Sequence, residues 1–301
     1  MPLVSAPPRI KLQNILFATD FSPSAQSALT YALKLAEGYD AGVYSVNVIP
    51  HMPFVEAVQP DIEQMRLSAK QRMTDWTSSG IFRGVKHNEL IEEGEIPEVL
   101  SKLVRKHDID LIVIGTGGRE RLQKLLLGSV AEEVFRNADC PVLTVGPHAT
   151  AWEGGYLRHI VYATDFGPES VHGLPYAMAF AEASRAFLTM LHVAPEPGVP
   201  LPEPEPGALP VLDREEIVAL TKKQLRALIP EANELWHEAR YAVQFGSPAE
   251  MIVTASRTAD MIVLGAKRPT PLTKHLGLGV AYKVVCEASC PVLSVGARHG
   301  I

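Results

Sequence analysis

Cysteine is scarce in this chain of 301 residues, which carries Cys140, Cys286 and Cys290. Three thiols in apolar surroundings exclude a disulfide-built scaffold. Cys286 and Cys290, with no histidine pair at ligand spacing beside them, offer little to a metal ion. A basic excess is missing as well: the formal net charge is -6, so the electrostatic footprint of nucleic-acid binding is absent and no nucleic-acid partner is expected. No apolar run approaches membrane-spanning length, and the opening Met1-Pro-Leu-Val-Ser-Ala-Pro-Pro-Arg9 lacks the apolar core of a signal peptide. No membrane partner is therefore expected, and the expected location is cytoplasmic.

Familiar catalytic patterns are missing too. The chain has no Gly-rich loop ending in Lys-Ser/Thr and no true G-x-G-x-x-G, position 120 being Glu. It has no Ser-Gly-Gly-x-Asp-Ser loop and no adenylyl-transfer histidine motif, and nothing in the sequence places a Ser-His-Asp set together. His51, His87 and His107 are scattered and read as solvent-facing.

What the chain does have is a repeat. Asn14-Ile-Leu-Phe-Ala-Thr-Asp-Phe-Ser-Pro23 returns at an offset of 145 as His159-Ile-Val-Tyr-Ala-Thr-Asp-Phe-Gly-Pro168. Asp110 to Gly146 aligns without gaps on Asp260 to Gly296 at an offset of 150, with 17 identities in 37 positions. At 47% hydrophobic content the chain can bury two ordinary cores. The expected domains are residues 1–150 and 151–301, divided within Pro147 to Gly155, where neither strand nor helix period is found.

Within the first unit a strand, Ile15 to Ala18, leads to Asp20, and Ser22-Pro23 caps a helix whose Ala25, Ala28, Leu29, Ala32, Leu33 and Ala36 form one apolar face. A strand near Val43 to Ile49, a helix near Ile62 to Ser78, a strand near His87 to Ile91, a helix from Pro97 to about His107 and the strand Leu111 to Ile114 continue the alternation. The fold class is α/β, two tandem doubly wound parallel-sheet domains with ligands at the strands' carboxyl ends. The second unit repeats the order, apart from Pro195 to Pro210, whose seven prolines and three glutamates read as a flexible surface loop.

Directly behind Leu111-Ile-Val-Ile114 stands Gly115-Thr-Gly-Gly118, followed after nine residues by Gly128-Ser129. Without a Cβ, Gly115 and Gly118 let the main chain approach a polyanion closely. Gly128-Ser129 opens a helical segment, Val130 to Asn137, whose positive end suits phosphate oxygens. Taken alone, the loop fits a phosphate cradle or an ordinary strand-to-helix turn.

A pattern G-x-x-G-x9-G-[S/T], late in a domain whose first strand ends in Thr-Asp, resembles the universal stress protein family, and the resemblance covers nearly the whole chain, twice. In the first unit it is complete, as Gly115, Gly118, Gly128 and Ser129. The family's ATP-binding members enclose the nucleotide with these elements, so the resemblance implies ATP, with Mg²⁺, as the cofactor of the first unit. It implies that Val48 meets adenine through its backbone and that Ile114 and Gly115 flank the ribose. Gly118, Arg119, Gly128, Ser129 and Val130 would hold the phosphates, with Thr116 in the same loop. Asp20, beside Ala18 and Thr19, would serve the ribose or a phosphate-bound metal, although a capping carboxylate is an equally sensible use of Thr-Asp-Phe-Ser-Pro. In the second unit Gly265 survives, but Arg268 stands in the Gly118 slot, Leu278 in the Gly128 slot and Gly279 in the Ser129 slot. That cradle reads as degenerate, although Lys267, Arg268 and Lys274 could bind an anion by side chains instead, and Asp165 reads as capping.

Three function classes follow. The first is an ATP-binding stress or signalling protein with an unknown protein partner; the second is an ATP-using enzyme, at most a weak ATPase; the third is a scaffold whose glycines are structural. No catalytic residue is assigned. The last strands, Val142 to Val145 and Val292 to Val295, are nearly identical and apolar, and such edges invite antiparallel pairing. The expected result is an intramolecular pseudo-dimer, as the family's single-domain members dimerise, with a homodimer of whole chains left open.

Overall fold

A computed structural model describes residues 10, 12–50, 62–116, 129–149, 157–197, 213–229, 239–266 and 279–296. In the first unit the elements are β1 (Asn14–Ala18), α1 (Pro23–Tyr39), β2 (Gly42–Ile49), α2 (Ile62–Ser78), β3 (Lys86–Glu93), α3 (Ile96–Lys106), β4 (Leu111–Gly115), α4 (Ser129–Asn137) and β5 (Val142–Val145). The second unit has β6 (His159–Ala163), α5 (Pro168–Val171), α6 (Leu174–Ser184), β7 (Phe187–Ala194), α7 (Arg214–Ala227), β8 (Arg240–Phe245), α8 (Pro248–Ser256), β9 (Met261–Ala266), α9 (Val280–Glu287) and β10 (Val292–Gly296).

One sheet of ten strands runs in the order β3-β2-β1-β4-β5-β10-β9-β6-β7-β8. Every neighbouring pair is parallel except β5 and β10. The central strands are mostly apolar because helices cover both faces, Thr144 and Ser294 being the buried polar residues at the joint. One face carries α1 and α6 on a core that includes Phe17, Leu29, Tyr162 and Phe180. The other carries α3, α4, α8 and α9 on a core that includes Leu16, Leu100, Val134, Ile252 and Val284. Each core layer draws on both units.

The units join where β10 pairs antiparallel with β5, Leu293 opposite Leu143, both fully buried. An apolar edge strand leaves a row of unpaired N–H and C=O groups, and pairing with its twin satisfies them. Thr144 donates its hydroxyl to the Val292 carbonyl across the joint (3.0 Å). Above it Tyr39 of α1 donates to the Ala179 carbonyl of α6 (3.1 Å), its ring set edge-on to Phe180.

Where the first unit has one continuous α1, the second has α5 and α6 broken at Gly173. Tyr162 stands where the first unit has Phe17, and its hydroxyl donates to the Ser170 carbonyl (2.8 Å). That carbonyl lies in the last turn of α5, and a Cβ at Gly173 would come within 3.3 Å of the Tyr162 ring. The stretch 198–210 of the proline-rich segment and residues 150–155 of the inter-unit segment lie outside the described residues.

Candidate functional site

From β1 the strand order of the first unit steps to β2 and β3 on one side and to β4 and β5 on the other. Such a reversal opens a crevice at the carboxyl ends of the two strands flanking it, here β1 and β4. Ala18 is the floor of this crevice, buried and paired with Val46 on one side and Ile114 on the other.

Past Ala18 the chain makes a tight, internally bonded loop. The Thr19 amide donates to the Val46 carbonyl (2.9 Å), and the Asn47 side-chain amide donates to the Thr19 carbonyl (2.8 Å). The Thr19 hydroxyl accepts from the Phe21 amide (2.9 Å), and the exposed Asp20 accepts from the Ser22 amide through Oδ1 (2.9 Å). Phe21 takes a left-handed φ of 61°. Ser22 then caps α1, its Oγ accepting from the Ala25 amide (3.3 Å). Asp20 thus has a turn-forming role whatever else it contacts, and Asp165 repeats it by accepting from the Gly167 amide (2.9 Å).

Val48 is half-buried at the end of β2, packed on the layer that holds Ala18 and Ile114. Gly115 is the last residue of β4. A Cβ there would lie 2.7 Å from the Ser24 carbonyl carbon and oxygen and 2.9 Å from the Ala25 nitrogen, so glycine is required for β4 to lie against the start of α1. Thr116 is buried, with amide and hydroxyl both donated to the Val145 carbonyl (3.0 and 3.4 Å), which turns it toward β5. Ser129 begins α4, and Val130 beside it is half-buried.

Ala18, Thr19, Asp20, Val48, Ile114, Gly115 and Thr116 therefore share one edge of the sheet. Gly118, Arg119 and Gly128 lie outside the described residues, as do Arg268 and Leu278 of the second unit. Sequence reasoning passed over Asn47 and Phe21. The signal for Phe21 was available, since Thr-Asp-Phe recurs at 164–166 and Phe166 has the same φ of 61°.

All three cysteines are buried and outside any disulfide. Burial, reinforced by the nearby Asp260 carboxylate, pushes the Cys290 thiol up to about 12, so it stays protonated. Among the described residues no group of three or more His, Cys, Asp or Glu side chains could hold a metal ion, and no helix is long and apolar enough to cross a membrane.

The sequence pattern of the Universal stress protein family matches residues 11–146 and again residues 157–296. A universal stress protein of Methanocaldococcus jannaschii is 34% identical over 146 residues, which span 44% of this chain and 81% of that protein. The crystal structure of a universal stress protein from Archaeoglobus fulgidus superposes with a TM-score of 0.72 at 19% identity, over 96% of this chain and 100% of that one. A functionally unknown protein from Pseudomonas aeruginosa superposes at 0.62 with 16% identity, over 95% of this chain and 93% of its own. At those identities the two superpositions speak for the fold.

Proposed function

The chain belongs to the universal stress protein family, and from that premise we propose that its first unit binds ATP with Mg²⁺ and uses occupancy to govern a protein partner in a cytoplasmic stress response. The observation that carries the reading is the placement of the glycine pattern. Gly115 ends β4 at the strand-order reversal, and the complete run through Gly118 and Gly128 delivers the chain to Ser129 at the start of α4.

The residues present suit such a ligand. Val48 offers main-chain groups to the base on an apolar backing, and Asp20 presents a carboxylate for the ribose or the metal. The first turn of α4 carries amides that have no partner within the helix, a suitable hold for phosphate. Mg²⁺ would neutralise phosphate charge there, a need sharpened by a net charge of -6. No residue is assigned to hydrolysis, and the second unit serves as a structural or regulatory partner.

Ligands released from the purified chain, identified by mass spectrometry, test this directly: ATP or ADP supports it. Gly118→Val should weaken ATP binding by at least about 100-fold in calorimetry while circular dichroism reports an intact fold. Unchanged affinity in a folded variant would sink the reading.

A second reading, a scaffold that binds no nucleotide, has one observation in its favour. Gly115, the first glycine of the pattern, is demanded by packing against Ser24 and Ala25 with no reference to a ligand. An empty protein that also fails to bind added ATP selects it.

A further inference from the structure

We propose that Phe21 links the crevice of the first unit to α2, so that a ligand at the Asp20 loop tightens the hold of the sheet on that helix. The inference rests on the nucleotide reading above and adds a route by which occupancy reaches the protein surface.

Phe21 sits between Asp20 and the helix cap Ser22 in a backbone conformation that bulky residues rarely adopt, with φ of 61°. Its amide is held by the Thr19 hydroxyl, and the amide after it by Asp20 Oδ1 (both 2.9 Å). That geometry throws the ring onto α2, where it lies 5.1 Å from the Trp76 ring and beneath the Arg72 guanidinium at 5.4 Å. Positive φ on a phenylalanine persists only where its surroundings over-determine it.

Helix α2 is otherwise lightly held, with the Thr77 hydroxyl bonded to the Glu89 carboxylate of β3 and few buried side chains. Of its 17 residues only Ala69 and Met73 are buried, and Ile62, Met65 and Leu67 are exposed. Its ion pair with the sheet, Arg66 to Glu93, is at the surface, where such pairs contribute little. A helix so attached belongs to the low-stability end of the molecule. The Trp76 ring is held by Phe17 of β1 at 6.1 Å as well as by Phe21, and the loop that carries Phe21 is the loop that would meet the ligand. A ligand on Asp20 favours the bonded form of the loop over looser ones, and the difference is passed to α2 through the ring.

Among the described residues of the second unit no ring contact joins the equivalent loop to a helix. Phe166 has the same φ, but its ring lies on His192 of β7 at 4.7 Å, within its own sheet. Unit-specific coupling is what the difference predicts.

A full-length chain in which Trp152 and Trp236 are replaced by phenylalanine leaves Trp76 as the reporter. ATP, at concentrations where calorimetry shows saturation, should shift Trp76 emission and slow amide exchange across residues 62–78 by at least about twofold. Phe21→Gly keeps the positive φ without strain and removes the ring. It should bind ATP within about threefold of the parent while losing both responses, and Trp76→Leu, followed by exchange alone, should do the same. Saturating ATP with unchanged emission and unchanged α2 exchange overturns the link and leaves the nucleotide reading standing. Absence of calorimetric binding overturns both.

Discussion

Gly115 and Gly265 occupy the same place in the two units, and both are there for packing: an added Cβ would come to 2.7 Å from the Ser24 carbonyl in the first unit and 2.2 Å from the Glu169 carbonyl in the second. The second unit has kept this glycine while placing Arg268 and Leu278 in the slots of Gly118 and Gly128. The comparison separates two kinds of glycine within one motif. The first is demanded by the contact of the fourth strand with the first helix in both units. Under the proposed function the others are free to vary where no ligand has to approach, so their presence in the first unit alone is what that reading rests on.

The joint between units gives the largest expected effect. Leu143 and Leu293 face each other fully buried, so Leu143→Lys and Leu293→Lys should each destabilise the chain by about 4 kcal/mol. Equal losses in denaturant unfolding would mean that the units contribute alike there; an unaffected variant would show that the edge pairing does not hold the halves together. Next come Gly115→Ala and Gly265→Ala, each expected to cost about 3 kcal/mol by forcing a Cβ into backbone atoms. The second should be the worse, because its contact is closer, and thermal unfolding orders them.

A smaller effect sharpens the contrast between the loops. Asp20→Ala and Asp165→Ala each remove a carboxylate that accepts a turn amide, for about 1 kcal/mol apiece. Melting temperatures should fall alike, but ATP affinity should fall only for Asp20→Ala. Equal affinities for parent and Asp20→Ala would confine that carboxylate to its turn.

The smallest effect concerns pH. His87 on β3, solvent-facing by the sequence reading, is half-buried: it stacks on Phe82 and meets the Ser45 hydroxyl through Nε2 (3.0 Å). Burial lowers the His87 pKa below its usual 6.5, with the Glu89 carboxylate opposing. The fold therefore favours the neutral form of His87. Its contribution is present above about pH 6.5 and is lost as pH falls from there through the folded value. Because the ring is only half-buried, the effect is well under 1 kcal/mol after solvent screening. Unfolding free energies of parent and His87→Gln at pH 7.5 and 5.0 should differ in that sense, with the variant less sensitive to acid.

Much of the fold was legible because hydrophobic period and end signals agreed. Helix α2 was read to its observed bounds, Ile62–Ser78, and Ser22-Pro23 was read as the start of α1. Strand β3 was read short, since its ends are charged. Lys86, Glu92 and Glu93 belong to it because β2 pairs with it along its whole length, a tertiary fact that propensity does not carry. The break between α5 and α6 was not read. The Tyr162 hydroxyl reaches the Ser170 carbonyl at that break, and Phe17 and Tyr162 look equivalent in sequence until that oxygen has a partner.

At the site, the residues at the strand ends were found by position, because the carboxyl edge of a parallel sheet follows from the alternation of strands and helices. Side-chain commitments were not. Thr116 turns to the Val145 carbonyl, and Gly115 is shaped by α1. Neither preference leaves a mark in spacing, since both arise from segments far away in the chain.

Under the proposed function one unit of the two takes the nucleotide. Calorimetric titration of the full-length chain with MgATP should therefore saturate near one ATP per chain, with the heats abolished by Gly118→Val. Saturation near two, or heats that survive that substitution in a folded protein, would contradict it.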